Sequence, residues 1–244
     1  MSLVRYTTIL FDADGTLFDF QAAEAHALEE TVRDFGYSFE PGMLQRYHQL
    51  NRSLWDAYDK GEITKRTLQD TRFSRFLAQE GLQGDGIQWN RIYAKHLGER
   101  GDLLEDALPV CRELCRHCRL AIVTNGVSAT QHSRFDRSPL LECFERLFIS
   151  EEMGYQKPQK EFFDAVLAEL APVKSQETLV VGDSLLSDIL GANNAGLDAC
   201  WFNPGGEVNS TQARPTYEIA RLPQLLPLVL GTKEEAGPTS ALGR

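Results

Sequence analysis

Residues 7–17 read Thr7-Thr8-Ile9-Leu10-Phe11-Asp12-Ala13-Asp14-Gly15-Thr16-Leu17. A short run of branched and aromatic residues ends abruptly in two carboxylates and a glycine. Such a run suits a strand buried on both faces of a parallel sheet, and the polar break marks its carboxyl end. Four more runs of this kind follow: 120–125 (LAIVTN), 147–150 (LFIS), 178–183 (TLVVGD) and 198–203 (DACWFN). Helix-length segments lie between the later runs. Lys160 to Leu170 spaces Phe163, Val166, Leu167 and Leu170 for one buried face, and Ser187 to Ala195 stops at Gly196. Strand and helix alternating in this way predict an α/β fold with a doubly wound parallel sheet, where ligands sit at the carboxyl ends of the strands. Asp12, Thr124 and Asp183 all fall at such ends.

Residues 20–100 break the alternation. They hold no convincing strand but four helical stretches, at 21–35, 41–59, 64–80 and 87–99. In the second, Leu44, Tyr47, Leu54, Trp55 and Tyr58 recur at helical spacing, with Pro41 suited to the first turn. An insertion of about 80 residues is too long for an ordinary crossover. It reads as a separate helical cap. The expected organisation is a core of residues 1–18 and 101–232, a cap of residues 19–100, and a flexible tail at 233–244.

Composition bounds the function. The chain has 244 residues, 42% of them hydrophobic, enough for a sizeable core. Lys and Arg number 25 against 35 Asp and Glu, a net charge of -10 that argues against nucleic-acid binding. A small phosphorylated substrate remains open, because a pocket answers to its local charges. No apolar run reaches membrane-spanning length and no secretory signal is visible. Five cysteines without framework spacing read as reduced thiols in a cytoplasmic protein. Cys111, Cys115, Cys118 and His117 invite a zinc reading, but Leu108 to Leu120 reads as one helix without a second ligand pair. The oligomeric state has no signature.

Chemistry concentrates at the strand ends. Asp12 and Asp14 stand two residues apart, and Gly182-Asp183-Ser184-Leu185-Leu186-Ser187-Asp188 places acids beyond another strand. Taken alone, Asp, Gly and Thr are common turn and cap residues. Several carboxylates on one sheet edge repel, however, and an all-oxygen set suits Mg²⁺. Thr124-Asn125-Gly126 offers a hydroxyl and backbone N–H groups to phosphate oxygens. Lys157-Pro158 follows. A strand-end DxDGT, a strand-end hydroxyl, a Lys-Pro and a strand-end GDxxxxD in that order make a specific combination.

These motifs resemble those of the haloacid dehalogenase superfamily of aspartate-nucleophile phosphohydrolases, and the match runs from residue 7 to about 230. The resemblance implies a Rossmann-like core with a helical cap between the first two motifs. It implies that Asp12 attacks phosphorus and becomes an aspartyl phosphate, while Asp14 is the general acid and then the base for water. Thr124, with the neighbouring Asn125 and Gly126, would hold the phosphoryl group and Lys157 would neutralise it. Mg²⁺ would be held by the Asp12 carboxylate, the Asp14 backbone carbonyl and Asp183, with Asp188 orienting Lys157 or a metal-bound water. The stretch Thr16-Leu17-Phe18-Asp19-Phe20-Gln21-Ala22-Ala23-Glu24 is similar to the start of the cap in pyrimidine 5′-nucleotidases of this superfamily. Those relatives often carry Asp-Asp-Thr where this chain has Asp14-Gly15-Thr16.

The expected function is therefore a Mg²⁺-dependent phosphomonoesterase acting on a nucleoside 5′-monophosphate. The alternatives are a phosphoglycolate or sugar-phosphate phosphatase or mutase of the same fold, and a non-catalytic binding module. A dehalogenase would need neither Asp14 nor the Asp183/Asp188 pair. Phe18 and Phe20 could stack on a base or anchor the cap hinge. Trp55, Tyr58, Phe73 and Phe76 read as cap core. The glycine-rich loop Gly81-Leu82-Gln83-Gly84-Asp85-Gly86 could face the catalytic cleft or be a surface turn.

Overall fold

The computed structural model describes residues 4–231. Four helices follow the first strand: α1 (Phe20–Asp34), α2 (Met43–Asp59), α3 (Lys65–Glu80) and α4 (Gly86–Gly98). Six more follow among the described residues: α5 (Ala107–Leu114), α6 (Ser128–Asp136), α7 (Ser150–Met153), α8 (Lys160–Glu169), α9 (Leu190–Ala195) and α10 (Leu225–Leu230). The strands are β1 (Thr8–Phe11), β2 (Arg119–Thr124), β3 (Arg146–Ile149), β4 (Thr178–Gly182), β5 (Asp198–Phe202) and β6 (Tyr217–Ile219).

All six strands form one parallel sheet in the order β3-β2-β1-β4-β5-β6. The winding direction reverses between β1 and β4, which opens a crevice at their carboxyl ends. Phe11 lies level with Ile122 and Val181, so Asp12 leaves the sheet beside Val123 and Gly182. Alternation along the strands feeds two cores. Ile9, Phe11, Ile122 and Val181 pack with α5 and α10, through Val110, Leu114, Leu225 and Val229. Leu10, Val123 and Val180 pack with Phe162, Phe163 and Val166 of α8 and with Ala192 of α9.

The helices α1 to α4 enclose a third core of their own, with Ala27, Leu28, Tyr47, Phe73, Phe76, Trp89 and Tyr93. Phe35 stacks on Trp89 with ring centroids 4.3 Å apart. Asp19, Thr64 and Asp85 cap α1, α3 and α4 by accepting from the N–H groups of Ala22, Thr67 and Ile87. The two linkers joining this helical unit to the sheet pair with each other, Asp19 donating to Asp102 and Leu104 to Leu17, each at 2.9 Å. Phe18 is buried between them and Phe20 packs on the helical core, so both anchor the junction. Phe73 and Phe76 are fully buried, and Trp55 packs edge-on to Tyr58.

Several expectations change. A sixth strand, only three residues long, escaped the hydrophobic pattern because of its three side chains Ile219 alone is buried. The segment 108–120 is not one helix: α5 stops at Leu114 and β2 begins at Arg119, whose guanidinium is tied to Glu145. Pro41 sits in the turn before α2 rather than in its first turn. The start of the 187–195 helix is a wide turn, Leu185–Ile189, that leads into α9. The tail at 233–244 lies outside the described residues. All five cysteines are free thiols, and no helix among the described residues is long and apolar enough to cross a membrane.

Candidate active site

β1 delivers Asp12 into the crevice, and the turn that follows depends on Gly15. Its φ is +84°, and a Cβ there would come within 2.5 Å of the Asp183 Oδ2. Glycine thus serves twice, by tolerating the left-handed backbone and by letting the two acidic segments approach. Thr16 Oγ1 donates to Asp183 Oδ1 at 3.4 Å, and the Trp201 indole N–H donates to the Asp183 carbonyl at 2.9 Å.

Lys157 is the hub. Its ammonium is 1% exposed and donates to Asp12 Oδ1 at 2.6 Å, Asp188 Oδ1 at 2.6 Å and the Val123 carbonyl at 2.8 Å. The second Asp188 oxygen accepts from the Ser184 N–H at 3.1 Å. Burial alone would lower the Lys157 pKa, but the charges of Asp12 and Asp188 hold it above the ordinary value. Carboxylate oxygens of Asp12, Asp183 and Asp188 lie within 4.8 Å of one another, the sole such grouping among the described residues. Burial pushes Asp12 well above the usual carboxylate range, with Lys157 opposing and Asp188 and Asp183 reinforcing. Burial and then the Asp188 charge push Asp183 up to about 7, although the cleft leaves its side chain open to water.

Thr124 ends β2 and turns its hydroxyl oxygen to accept from the Gly126 N–H at 2.9 Å. Asn125 clamps the Lys157 backbone, with Nδ2 donating to its carbonyl at 2.8 Å and Oδ1 accepting from its N–H at 3.0 Å. The fold therefore brings Asp12, Thr124, Asn125, Gly126, Lys157, Asp183 and Asp188 to one strand-end crevice. Asp14 stands at its edge, and its carboxylate lies outside the acidic grouping.

Four residues here had no signal in the sequence. Asp59, the last residue of α2, accepts from Asn125 Nδ2 at 3.0 Å. Burial raises its pKa to about 7, and the Asn125 hydrogen bond opposes this. Lys65, the first residue of α3, donates to the Gly126 carbonyl at 3.1 Å and to Ser150 Oγ at 2.8 Å. Burial lowers its pKa to about 8. Gln131 and Arg134 of α6 both engage Asp14. Their helix positions are unremarkable in sequence; only the packing of α2, α3 and α6 over the crevice brings them in.

The helical unit thus meets the phosphate-type turn through the α2–α3 loop. The glycine-rich loop 81–86 begins at the other end of α3, 16 residues or about 24 Å of helix away. There Tyr37 bonds the Gln83 backbone, and Gly84 packs against Trp89. It is a surface turn. Of the two readings the sequence left open for this loop, the surface turn is the one that holds.

Comparison with known proteins agrees with this arrangement. The family model for haloacid dehalogenase-like hydrolases matches residues 6–196. The HAD-hydrolase YfnB of Bacillus subtilis (strain 168) is 41% identical over 91% of this chain and 94% of its own length. The pyrimidine 5′-nucleotidases PynA of Streptococcus pneumoniae and YjjG of Escherichia coli are 37% and 33% identical, each over 91% of this chain and over 94% and 97% of their own lengths. A crystal structure of YfnB bound to magnesium superposes with a TM-score of 0.88, covering 92% of this chain and 99% of that one at 40% identity.

Proposed function

The chain belongs to the haloacid dehalogenase-like hydrolases, and from that premise we propose that it is a Mg²⁺-dependent phosphomonoesterase acting on nucleoside 5′-monophosphates through an aspartyl-phosphate intermediate. It is a phosphoric monoester hydrolase; the substrate, the metal and the roles of the residues are the proposal. The observation that carries it is the Lys157 ammonium bridging Asp12 and Asp188 at 2.6 Å each, beside Asp183, at the switch point of the sheet.

The donor set fits Mg²⁺. Three carboxylates face one ammonium, and burial first, then the neighbouring carboxylates, raise the pKa of Asp12 and Asp183. The Asp12 carboxylate, the Asp14 main-chain carbonyl and Asp183 would hold the ion, all hard oxygen donors. When bound, it would supply charge neutralisation for the acids and the phosphoryl oxygens. Asp188 has both oxygens engaged, on Lys157 and on Ser184, which suits it to orienting the lysine.

In the first step a carboxylate oxygen of Asp12 attacks phosphorus, and the bond from phosphorus to the ester oxygen breaks. Asp14 gives a proton to the departing alkoxide and later takes one from the water that attacks the acyl phosphate. Thr124 and the backbone N–H groups of its turn hold the equatorial oxygens, and Lys157 offsets their charge. The α2–α3 loop, through Asp59 and Lys65, lies over this turn and is where the leaving group would be read. The nucleotide reading is supported by the likeness to PynA and YjjG, which are pyrimidine 5′-nucleotidases.

The test is phosphate release from nucleoside monophosphates, phosphoglycolate, sugar phosphates and an aryl phosphate, each with and without Mg²⁺. Highest kcat/KM for a pyrimidine nucleotide, lost on chelation, is expected. A sugar phosphate or phosphoglycolate turned over best would replace the nucleotide assignment, and no Mg²⁺ requirement would remove the metal.

A further inference from the structure

Asp14 does not stand free at the end of its strand. Two side chains one turn apart on α6 grip its carboxylate. Gln131 Nε2 donates to Asp14 Oδ2 at 2.5 Å, and Arg134 Nη1 is ion-paired with Asp14 Oδ1. Gln131 is 3% exposed and Arg134 is fully buried.

The guanidinium is itself fixed by the two linkers of the helical unit. Its Nε donates to the Arg100 carbonyl at 2.9 Å, and its central carbon lies 4.7 Å from the centroid of the Phe18 ring. Its Nη2 is buried without a hydrogen-bond partner among the described residues. Stability does not account for this arrangement. Replacing a buried ion pair by apolar residues is often neutral or stabilising, and an unpaired buried donor is a further cost. The one carboxylate that pairs with Arg134 among the described residues is Asp14.

We propose that Arg134 and Gln131 are positioning residues for Asp14, holding its carboxyl group in one orientation with a lone pair left to carry the proton that passes to the departing oxygen. An ungripped aspartate would divide its time among several side-chain rotamers. A carboxylate offers about four lone-pair sites, and the two donors occupy two of them. This inference rests on the assignment of Asp14 as leaving-group acid and later base.

The experiment compares kcat and KM for a nucleoside 5′-monophosphate, an alkyl ester, and for an aryl phosphate, which needs little proton assistance. Asp14→Asn, Gln131→Met, Arg134→Lys and Arg134→Met are measured alone, and the α6 variants again on the Asp14→Asn background. Gln131→Met and Arg134→Met should lower kcat on the alkyl ester about 10- to 100-fold, against only a few-fold on the aryl ester, with KM nearly unchanged. Arg134→Lys should recover part of the loss. On the Asp14→Asn background the α6 substitutions should cost nothing further, because they act through the group already removed.

Equal losses on both esters, or losses that multiply with Asp14→Asn, would overturn the proposal. Should Arg134→Met not fold, as a thermal melt would reveal, Gln131→Met and Arg134→Lys carry the comparison. If Asp14→Asn itself treats both esters alike, the acid assignment falls and this inference with it. If Asp14→Asn discriminates and Gln131→Met does not, only this inference falls.

Discussion

Burial and the neighbouring carboxylates raise the pKa of Asp12 above the usual carboxylate range, and the Lys157 charge opposes them. Asp12 becomes useful through its neighbours: Lys157 contributes one positive charge at 2.6 Å, and a cation would contribute the rest. Asp12→Asn removes the attacking oxygen's charge and one metal ligand while keeping the shape. Turnover should fall by about 10³-fold or more on every ester, with no selectivity for the leaving group. Lys157→Met should be comparably severe, because it leaves Asp12 and Asp188 facing each other unpaired in a buried site. Steady-state rates on alkyl and aryl phosphates check both. Near-normal turnover of Asp12→Asn would remove it as the nucleophile.

At the scale of elements, the α2–α3 loop decides what the helical unit can sense. Asp59 and Lys65 meet Asn125, Gly126 and Ser150, whereas Gln83 at the far end of α3 bonds Tyr37 through its backbone. Lys65→Met should therefore shift the ratio of kcat/KM between nucleotides and small aryl phosphates, and Gln83→Ala should leave it unchanged. A changed ratio in Gln83→Ala would move specificity to the wrong end of the helix. The same contact makes stability depend on pH. The folded Asp59 pKa, about 7, lies above the ordinary 3.8, so the folded state holds its proton more tightly than the unfolded chain does. This contribution is present at low pH, declines between those two values and is gone above them. Asp59→Asn cannot titrate and should flatten the decline. Denaturation of both proteins at about pH 5 and about pH 8 would test it, and parallel pH dependences would exclude Asp59 as the source.

For the whole molecule, the site joins pieces that are far apart in the chain: Asp12, Lys157 and Asp183 come from three separate connections on one sheet. A cation that binds Asp12 and Asp183 together binds the folded state and not the unfolded chain, and must raise the unfolding midpoint. Mg²⁺ should raise Tm for the wild type, and Asp183→Asn should lose most of that rise while folding normally. Melting curves across a Mg²⁺ titration measure it. An unaltered rise in Asp183→Asn would place the ion elsewhere.

The parallel sheet and the helical insertion were legible in the sequence, as were Asp12, Thr124 and Asp183 at the strand ends; Lys157 and Asp188 stood out only through the resemblance to the family. Buried parallel strands are continuous apolar runs, and the polar residues that stop them stand at the ligand-binding edge by construction. The helices of the insertion were legible to within a residue or two, because amphipathic spacing and caps such as Thr64 and Asp85 are local signals. Only the tertiary structure decided the rest. The strand β6 exists because β5 supplies its partner, and α5 ends where Arg119 is drawn into the sheet. Asp59, Lys65, Gln131 and Arg134 lie at positions where a polar residue on a helix is ordinary. Their meaning depends on which helix end docks over the crevice, and that is settled by long-range packing and not by any local pattern. For the same reason the sequence left the glycine-rich loop open between two readings: its composition signals a turn equally well at either end of α3, and composition carries no direction.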